Sequence, residues 1–240
     1  MYFLITTGQY ILFLIKIFSR FESRRVYFPK IIHEINELGM SSIGFVAFIS
    51  IFVGAVVTLQ VAYNMENPLL PTYLIGLASR DSIILEFSPT MISLVLAGKI
   101  GSHISSSLGT MRVTEQIDAL STLSTDPIKY LVVPRLVAAF LTVPLLVGVG
   151  DSIGILGGYI VGVTRLEFNN TIYLVNSVNY LEFLDILSGL VKGAVFGCII
   201  ALMGCFFGMR CEKGARGVGQ ATKSAVVSSS VLILAANYFL

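Results

Sequence analysis

The amino-acid sequence predicts an all-α polytopic membrane protein in which one interfacial helix precedes five transmembrane helices. Hydrophobic residues make up 55% of the 240 residues and charged residues 12%, about half the roughly 25% that is typical of soluble domains. The mean hydropathy is +0.85. Five apolar stretches are long enough to cross a bilayer. This composition excludes an ordinary soluble domain and a disordered chain.

The first segment, residues 2–28, has the pattern of an amphipathic helix. One face carries large apolar side chains at helical spacing, namely Tyr10, Phe13, Leu14, Ile17, Phe18 and Phe21. The opposite face carries Lys16, Ser19, Arg20 and Ser23. Because the uncharged run before Lys16 is short for a span, we expect residues 1–38 to form a helical segment that lies in the membrane interface. The alternative is a short first span.

Residues 39–240 are predicted to form a bundle of five spans that completes a single domain. Spans 1 to 5 are expected at Met40–Ala62, at Ser82–Leu108, within Leu131–Val163, at Ile186–Met209 and at Ser224–Leu240. The stretch that contains span 3 is too long for one straight crossing, so we expect kinks at Pro134 and Pro144. A basic, glycine-rich loop is expected at Arg210–Lys223, before span 5.

The distribution of the 16 Lys and Arg residues predicts the side of the membrane that each segment faces. Their numbers along the chain are five before span 1, one after it, four in or after the end of span 2, two in the next loop and span 4, four after span 4 and none after span 5. Basic residues favour the cytoplasmic side. We therefore expect the N-terminus and residues 109–130 in the cytoplasm and the C-terminus outside.

Glycines recur every four residues in two spans. The positions are Gly150, Gly154, Gly158 and Gly162 in span 3, and Gly189, Gly193 and Gly197 in span 4. Each stripe allows a neighbouring helix to approach closely. Static tight packing is the favoured interpretation, and a sliding interface is the alternative.

Ionisable residues inside the spans are the first candidates for a functional site. Glu86, Lys99, Asp151 and Lys192 lie in apolar surroundings, where such residues usually face the bundle interior and pair with one another. Pro89 weakens the helix close to Glu86, which suits a substrate path, although a structural Glu86–Lys192 pair explains the same residues. Asp151 is also compatible with a position near the outer surface. His103, four residues after Lys99, has no assigned acid partner.

The segment Gly109–Leu120 is the second candidate. Thr114 is expected to cap a short helix with Glu115 in its first turn, with Val113, Ile117 and Leu120 on an apolar edge and Gln116 and Asp118 on the polar side. Such a helix between two spans suits docking to a cytoplasmic partner. Motifs for nucleotide binding (G-x-x-x-x-G-K-[ST]) or zinc-dependent hydrolysis (H-E-x-x-H) do not occur in the sequence.

Several runs resemble the MlaE-type permeases, the membrane subunits of Mce-associated lipid ABC transporters. They are Glu86-Phe-Ser-Pro89, residues 94–101, residues 108–120, Asp126-Pro127, Pro134-Arg135 and the C-terminal run 213–230. The resemblance covers nearly the whole chain. It implies a single permease domain and a homodimer in the bacterial inner membrane, driven by two cytoplasmic ABC ATPase subunits that bind ATP and Mg²⁺, with no cofactor on this chain.

The same resemblance implies further partners and site residues. An Mce-domain lipid-binding protein in the periplasm exchanges phospholipids or related membrane lipids with the permease, and no nucleic acid is involved. Contact with the ATPase is expected from Arg112, Thr114, Glu115, Gln116 and Asp118. The lipid pathway is expected at the dimer interface, along spans 1, 2 and 5, and to include Glu86, Pro89, Lys192 and Asn237.

Two residues depart from the family pattern. Ser107 stands where relatives often carry Glu, and Asn237 stands where they often carry Asp, which leaves Lys192 with one fewer acid partner.

Three other functions are compatible with parts of the sequence. An ion-coupled secondary transporter acting alone would use Glu86, Lys99, His103 and Asp151. A membrane enzyme would need a nucleophile–base pair of recognisable spacing, which is missing from the sequence, and a scaffold would not need the intramembrane charges.

Overall fold

The computed structural model describes residues 2–18, 24–65, 73–123, 125–165, 182–212 and 214–240. All regular secondary structure within these ranges is helical. Five helices are long and apolar enough to cross a membrane, and a shorter apolar helix, Tyr2–Phe18, precedes them. The predicted architecture of five spans is therefore confirmed.

The spans are longer than predicted, because their helices continue past the apolar runs. Span 1 is Tyr27–Asn64, span 2 is Leu74–Val113, span 3 is Pro127–Arg165, span 4 is Phe183–Met209 and span 5 is Ala215–Phe239. Span 1 runs without a break through residues 38 and 39, where the interfacial segment was expected to end. Span 3 is one continuous helix that includes both Pro134 and Pro144.

The expectation that Arg210–Lys223 is a loop is wrong. Span 4 ends at Met209 and span 5 begins at Ala215, so only a short turn separates them. The turn uses Gly214 at a φ of +91°, and a Cβ at Gly217 would lie 2.3 Å from the carbonyl oxygen of Glu212. The glycines thus allow a compact reversal between two helices, whereas the sequence pattern indicated a longer loop.

Spans 1 and 2 contain wide π-helical turns at Asn36–Met40, Ile83–Phe87 and Ala97–Gly101. Such turns are rare, and they occur frequently at functional sites. Each of the three contains an ionisable residue that bonds to another part of the bundle: Glu37, Glu86 and Lys99.

Span 3 lies at the centre of the bundle, where it packs along span 1 and along span 4. A Cβ at Gly54 would lie 1.8 Å from the carbonyl oxygen of Gly154, and one at Gly157 would lie 2.3 Å from the carbonyl oxygen of Ile51. Spans 3 and 4 also meet closely, since a Cβ at Gly197 would lie 2.7 Å from the carbonyl oxygen of Ala139. The glycines therefore permit direct contact between helix backbones, as the stripes predicted.

The N-terminal helix is anchored by one face. The Phe13 and Ile17 side chains are buried, and the rings of Tyr10 and Phe13 pack edge-on against Phe206 of span 4 at centroid distances of 5.3 and 5.7 Å. Ile11, Leu12 and Ile15 are exposed, so the helix also presents an apolar surface to its surroundings. The predicted positions Ser19, Arg20, Phe21 and Ser23 lie outside the described residues.

Span 2 is joined to the short helix Gln116–Thr122, the loop helix, by a strained turn. The prediction that Thr114 caps this helix is wrong, because its hydroxyl donates a hydrogen bond back to the Thr110 carbonyl oxygen at 2.9 Å, within the end of span 2. Glu115 precedes the loop helix instead, with φ 59° and ψ 14°. This left-handed conformation costs a non-glycine residue about 1 kcal/mol.

Because spans 1 and 3 are in close contact, one methyl group added between them is expected to lower the stability of the protein strongly. We expect Gly54→Ala to destabilise the protein by roughly 3 kcal/mol, because the new Cβ would overlap the backbone of Gly154. Gly44→Ala in the same helix is the matched control, since a Cβ there has no neighbour within 4 Å. Thermal unfolding of both variants in detergent measures the difference, and equal unfolding temperatures would contradict the contact.

The left-handed conformation of Glu115 allows a test that distinguishes the effect of backbone strain from the effect of losing the carboxylate. We expect Glu115→Val to speed amide hydrogen exchange in the loop helix, because a β-branched residue is disfavoured at positive φ. Glu115→Gly removes the same carboxylate but tolerates this conformation, so its exchange should be as slow as that of the parent protein or slower. Equal exchange rates in the two variants, measured by mass spectrometry, would show that the backbone conformation is unimportant.

Candidate functional site

A buried lysine and a half-exposed glutamate form the central ion pair of the bundle. Lys192 Nζ of span 4 donates a hydrogen bond to Glu86 Oε1 of span 2 at 2.8 Å. The Lys192 side chain is 9% exposed and the Glu86 side chain 54%. The cation is thus enclosed by the helices while its partner carboxylate opens to one side, an arrangement through which a polar group from outside the chain can reach Glu86.

Asn237 of span 5 binds the same carboxylate. Its Nδ2 donates a hydrogen bond to Glu86 Oε2 at 3.0 Å. At position 237, where the resemblance implied an acid, this chain therefore has a hydrogen-bond donor, and the partner of this donor is Glu86. One carboxylate thereby ties together spans 2, 4 and 5.

Pro89 contributes through the backbone. In a regular α-helix the N–H of residue 89 would bond to the carbonyl oxygen of Leu85, but proline has no N–H. Lys192 Nζ donates a hydrogen bond to this Leu85 oxygen at 3.1 Å. The proline and the wide turn Ile83–Phe87 thus leave an acceptor in the helix that Lys192 uses in addition to Glu86.

Asp151 lies inside the bundle and not at the protein surface. The residue is 7% exposed, and its carboxylate lies between Ser88 of span 2 and Gly189 of span 4. The helix continues for a further 14 residues beyond Asp151, to Arg165, and the position of Asp151 near the outer surface of the membrane stays a prediction.

A second polar network was not predicted from the sequence. Arg135 Nε of span 3 donates a hydrogen bond to Glu34 Oε1 at 3.0 Å, and Arg135 Nη2 donates one to Ser107 Oγ at 3.1 Å. Glu34 and Arg135 are 101 residues apart, so helical spacing gives no signal for their pairing. The hydroxyl at Ser107, the other departure from the family pattern, accepts a hydrogen bond from this arginine.

A third network joins spans 1 and 2 near residue 100. Lys99 Nζ donates a hydrogen bond to the Ser41 carbonyl oxygen, and His103 Nε2 lies 3.4 Å from Glu37 Oε1. Glu37 is the acid near His103 that sequence analysis did not identify. The three residues Glu37, Lys99 and His103 line a cavity of about 310 Å³.

The loop helix is held by one apolar residue and presents polar ones. Ile117 is buried at 4% exposure, whereas Glu115, Gln116 and Asp118 are exposed. Arg112 Nη1 donates a hydrogen bond to Asp118 Oδ1 at 2.5 Å, which connects the end of span 2 to the loop helix. The helix is thus fixed to the bundle while its acidic and amide side chains remain available to another surface.

The three cysteines, Cys198, Cys205 and Cys211, are free thiols. Cys211 lies in the turn between spans 4 and 5, where burial and the nearby Glu212 carboxylate raise the pKa of its thiol. The thiol consequently stays protonated at neutral pH and donates a hydrogen bond to the Glu212 carbonyl oxygen. These contacts assign Cys211 a packing role.

Comparison with known proteins agrees with this arrangement. The family model described as "Permease MlaE" matches residues 31–240. A probable ABC transporter permease protein of Rickettsia felis is 46% identical over 235 residues, which cover 98% of this chain and 90% of the relative. A probable ABC transporter permease protein of Synechocystis is 40% identical, over 87% of this chain and 79% of the relative.

A plant protein is also similar. The Arabidopsis thaliana protein TRIGALACTOSYLDIACYLGLYCEROL 1, chloroplastic, is 32% identical over 98% of this chain and 65% of its own length. A family model that covers residues 31–240 includes all five spans, the loop helix and the Glu86–Lys192–Asn237 cluster. On this evidence the chain is a multi-pass membrane protein that belongs to the MlaE permease family.

Proposed function

We propose that this chain is the permease subunit of an ABC transporter that moves phospholipids or related lipids between the inner and outer membranes of a bacterium. The half-exposed Glu86 carboxylate, fixed by Lys192 and Asn237 beside apolar helix faces, is the observation that carries the proposal. An amphiphile needs a polar group for its head and apolar walls for its tails, and the two features meet here.

The apolar walls come from spans 1 and 5. Span 1 exposes Phe48 and Phe52, and span 5 exposes Val231 and Leu234. Both spans reach the polar cluster, since span 5 provides Asn237 and span 1 contacts the turn Ile83–Phe87. In the proposed pathway, lipid tails contact these faces while the head group lies near Glu86, and Pro89 and Lys192 keep that carboxylate in position.

The same two faces favour a homodimer. Large exposed apolar surfaces on a membrane protein contact lipid or another helix, and span 5 buries fewer residues than the other four spans. A second copy would cover these faces and enclose a lipid-sized space between the subunits. The dimer interface is proposed to be the lipid pathway.

The basic residues orient this pathway in the inner membrane. With the N-terminus and the loop helix in the cytoplasm, span 2 enters from the outer side at Leu74, and Glu86 lies about 18 Å further along the helix. Lys192 lies about 14 Å from the outer end of span 4. The cluster is therefore proposed to lie in the outer half of the bilayer, where an Mce-domain lipid-binding protein in the periplasm can exchange lipid with it.

Energy is proposed to come from a separate cytoplasmic ABC ATPase, which holds ATP and Mg²⁺, while this chain binds no cofactor. The names of the Rickettsia and Synechocystis relatives describe ABC transporter permeases, which supports such a partner. The Arabidopsis relative carries the name of a glycerolipid, which supports a lipid as the transported molecule.

Co-purification tests the proposed function directly. After gentle extraction with a tag on the N-terminus, we expect an ABC ATPase in about equal amount together with an Mce-domain protein, and the reconstituted complex should transfer labelled phospholipid only with ATP. Equal amounts are expected because each permease subunit has one loop helix, which would contact one ATPase subunit. A chain that is recovered without an ATPase and transports in liposomes without nucleotide would instead be the ion-coupled carrier.

Charge reversal on the loop helix tests the proposed coupling. The double variant Glu115→Lys with Asp118→Lys should leave the complex assembled and hydrolysing ATP but reduce lipid transfer by about tenfold or more, because two exposed charges would repel the ATPase surface they now attract. Transfer and hydrolysis are measured on the same proteoliposomes. Normal lipid transfer by a complex that is still assembled would show that Glu115 and Asp118 do not couple ATP hydrolysis to transport.

A charge swap provides the matched control. Arg112→Asp with Asp118→Arg keeps an ion pair between span 2 and the loop helix but exchanges its charges. If the acid acts on the ATPase, the swap should not rescue transfer relative to Asp118→Arg alone. Full rescue of lipid transfer would show that Asp118 acts only through its ion pair with residue 112, which holds the loop helix in place.

A further inference from the structure

The carboxylate of Asp151 is the most unusual buried group outside the ion pair. The residue is 7% exposed, and within the described parts of the chain its Oδ1 has no hydrogen-bond partner. Ser88 is the neighbouring side chain with a hydroxyl, but this hydroxyl donates a hydrogen bond to the Val147 carbonyl oxygen at 3.5 Å. A buried oxygen without a donor is unfavourable, so its presence needs an explanation.

Lys192 lies one helical turn from the point at which Asp151 packs against span 4. A Cβ at Gly189 would lie 3.9 Å from Asp151 Oδ2, so the carboxylate lies against span 4 at Gly189. Lys192 follows three residues later on the same helix face. Side chains of a helix lean towards its N-terminal end, which carries the Lys192 side chain over Gly189. The Ile84 carbonyl oxygen of span 2 also lies against Gly189, 2.9 Å from the position of a Cβ, so movement of span 2 away from span 4 would open a path between the two groups.

We propose that Asp151 is a second acceptor for Lys192, which receives the ammonium group when Glu86 moves away during the transport cycle. Lys192 would then alternate between Glu86 on span 2 and Asp151 on span 3. The inference rests on the proposed function, because it assigns the Glu86–Lys192 pair to a moving part of a transporter.

The packing of the three spans supports such an exchange. Spans 3 and 4 are in backbone contact, since a Cβ at Gly193 would lie 3.2 Å from Pro144 Cα, and Asp151 therefore stays beside span 4. Span 2 is weakened next to Glu86 by the π-helical turn Ile83–Phe87 and by Pro89. Movement between spans 2 and 4 would otherwise leave a buried ammonium group unpaired, which is strongly destabilising.

The structure of a Glu86→Gln variant in lipid nanodiscs tests the proposal directly. Loss of the carboxylate removes the stronger partner of Lys192, so we expect its Nζ within about 3 Å of the Asp151 carboxylate. Lys192 remaining on the Leu85 carbonyl oxygen, with Asp151 still unpaired, would overturn the proposal.

Thermal unfolding gives a second test that needs no lipid and no ATPase. Asp151→Asn alone should change the unfolding temperature little, whereas Glu86→Gln with Asp151→Asn should lower it by more than the sum of the single changes. This extra loss of unfolding temperature, beyond the sum of the single changes, should disappear when Lys192 is replaced by Met. Glu34→Gln is the matched control, because Glu34 pairs with Arg135, and its effect should add to that of Glu86→Gln. Additive effects of Glu86→Gln and Asp151→Asn in the presence of Lys192 would overturn the proposal.

Transport by Asp151→Asn distinguishes a positioning role from a structural one. The variant keeps the Glu86–Lys192 pair, so its unfolding temperature should match that of the parent protein while ATP-driven transfer at saturating lipid falls by about tenfold. Unchanged transfer would contradict the exchange. Non-additive unfolding in a chain that moves no lipid with ATP would instead support the Asp151–Lys192 pairing and reject the proposed function.

Discussion

The Lys192 ammonium group cannot be left without an oxygen partner, and this requirement governs the centre of the bundle. The Lys192 side chain is only 9% exposed, and a buried unpaired charge is strongly destabilising. Lys192 is satisfied by Glu86 and by the Leu85 carbonyl oxygen, while Asn237 bonds to the second carboxylate oxygen. Spans 2, 4 and 5 are consequently joined through one carboxylate, and any movement between them must provide another partner for the lysine.

Close contacts between helix backbones restrict how far several of the spans can move relative to one another. Gly54, Gly154 and Gly197 bring spans 1, 3 and 4 within van der Waals distance of one another's backbones, which leaves little freedom for those spans to shift. Span 2 differs, since it has two π-helical turns, and Pro89 lies just beyond the first. Span 4 also packs closely against span 2, since a Cβ at Gly189 would lie 2.9 Å from the Ile84 carbonyl oxygen and one at Gly208 would lie 3.0 Å from the Ser105 carbonyl oxygen. In the proposed function, movement at the loop helix would reach Glu86 through the interrupted helix of span 2.

The sequence predicted the spans, the polar residues of the site and the Glu86–Lys192 pair, but not the other pairings. Apolar runs and basic residues depend on the bilayer alone, so five spans followed from composition and order. The Glu86–Lys192 pair followed from the scarcity of intramembrane charge. The pairing of Arg135 with Glu34 depends on tertiary packing between residues 101 positions apart, which helical spacing cannot reveal. The capping role expected for Thr114 failed because its hydroxyl bonds within span 2.

The neutral side chains at positions 107 and 237, where the resemblance implied acids, both take part in the hydrogen bonds of the charged clusters. At position 107 the serine hydroxyl accepts a hydrogen bond from Arg135, and the negative charge comes from Glu34 on span 1. At position 237 the amide donates a hydrogen bond to Glu86, which stabilises the carboxylate that holds Lys192. In each case a neutral side chain makes a hydrogen bond while a carboxylate on another span supplies the charge. The electrostatic requirement therefore belongs to the cluster as a whole, because side chains on several spans share in balancing each cation.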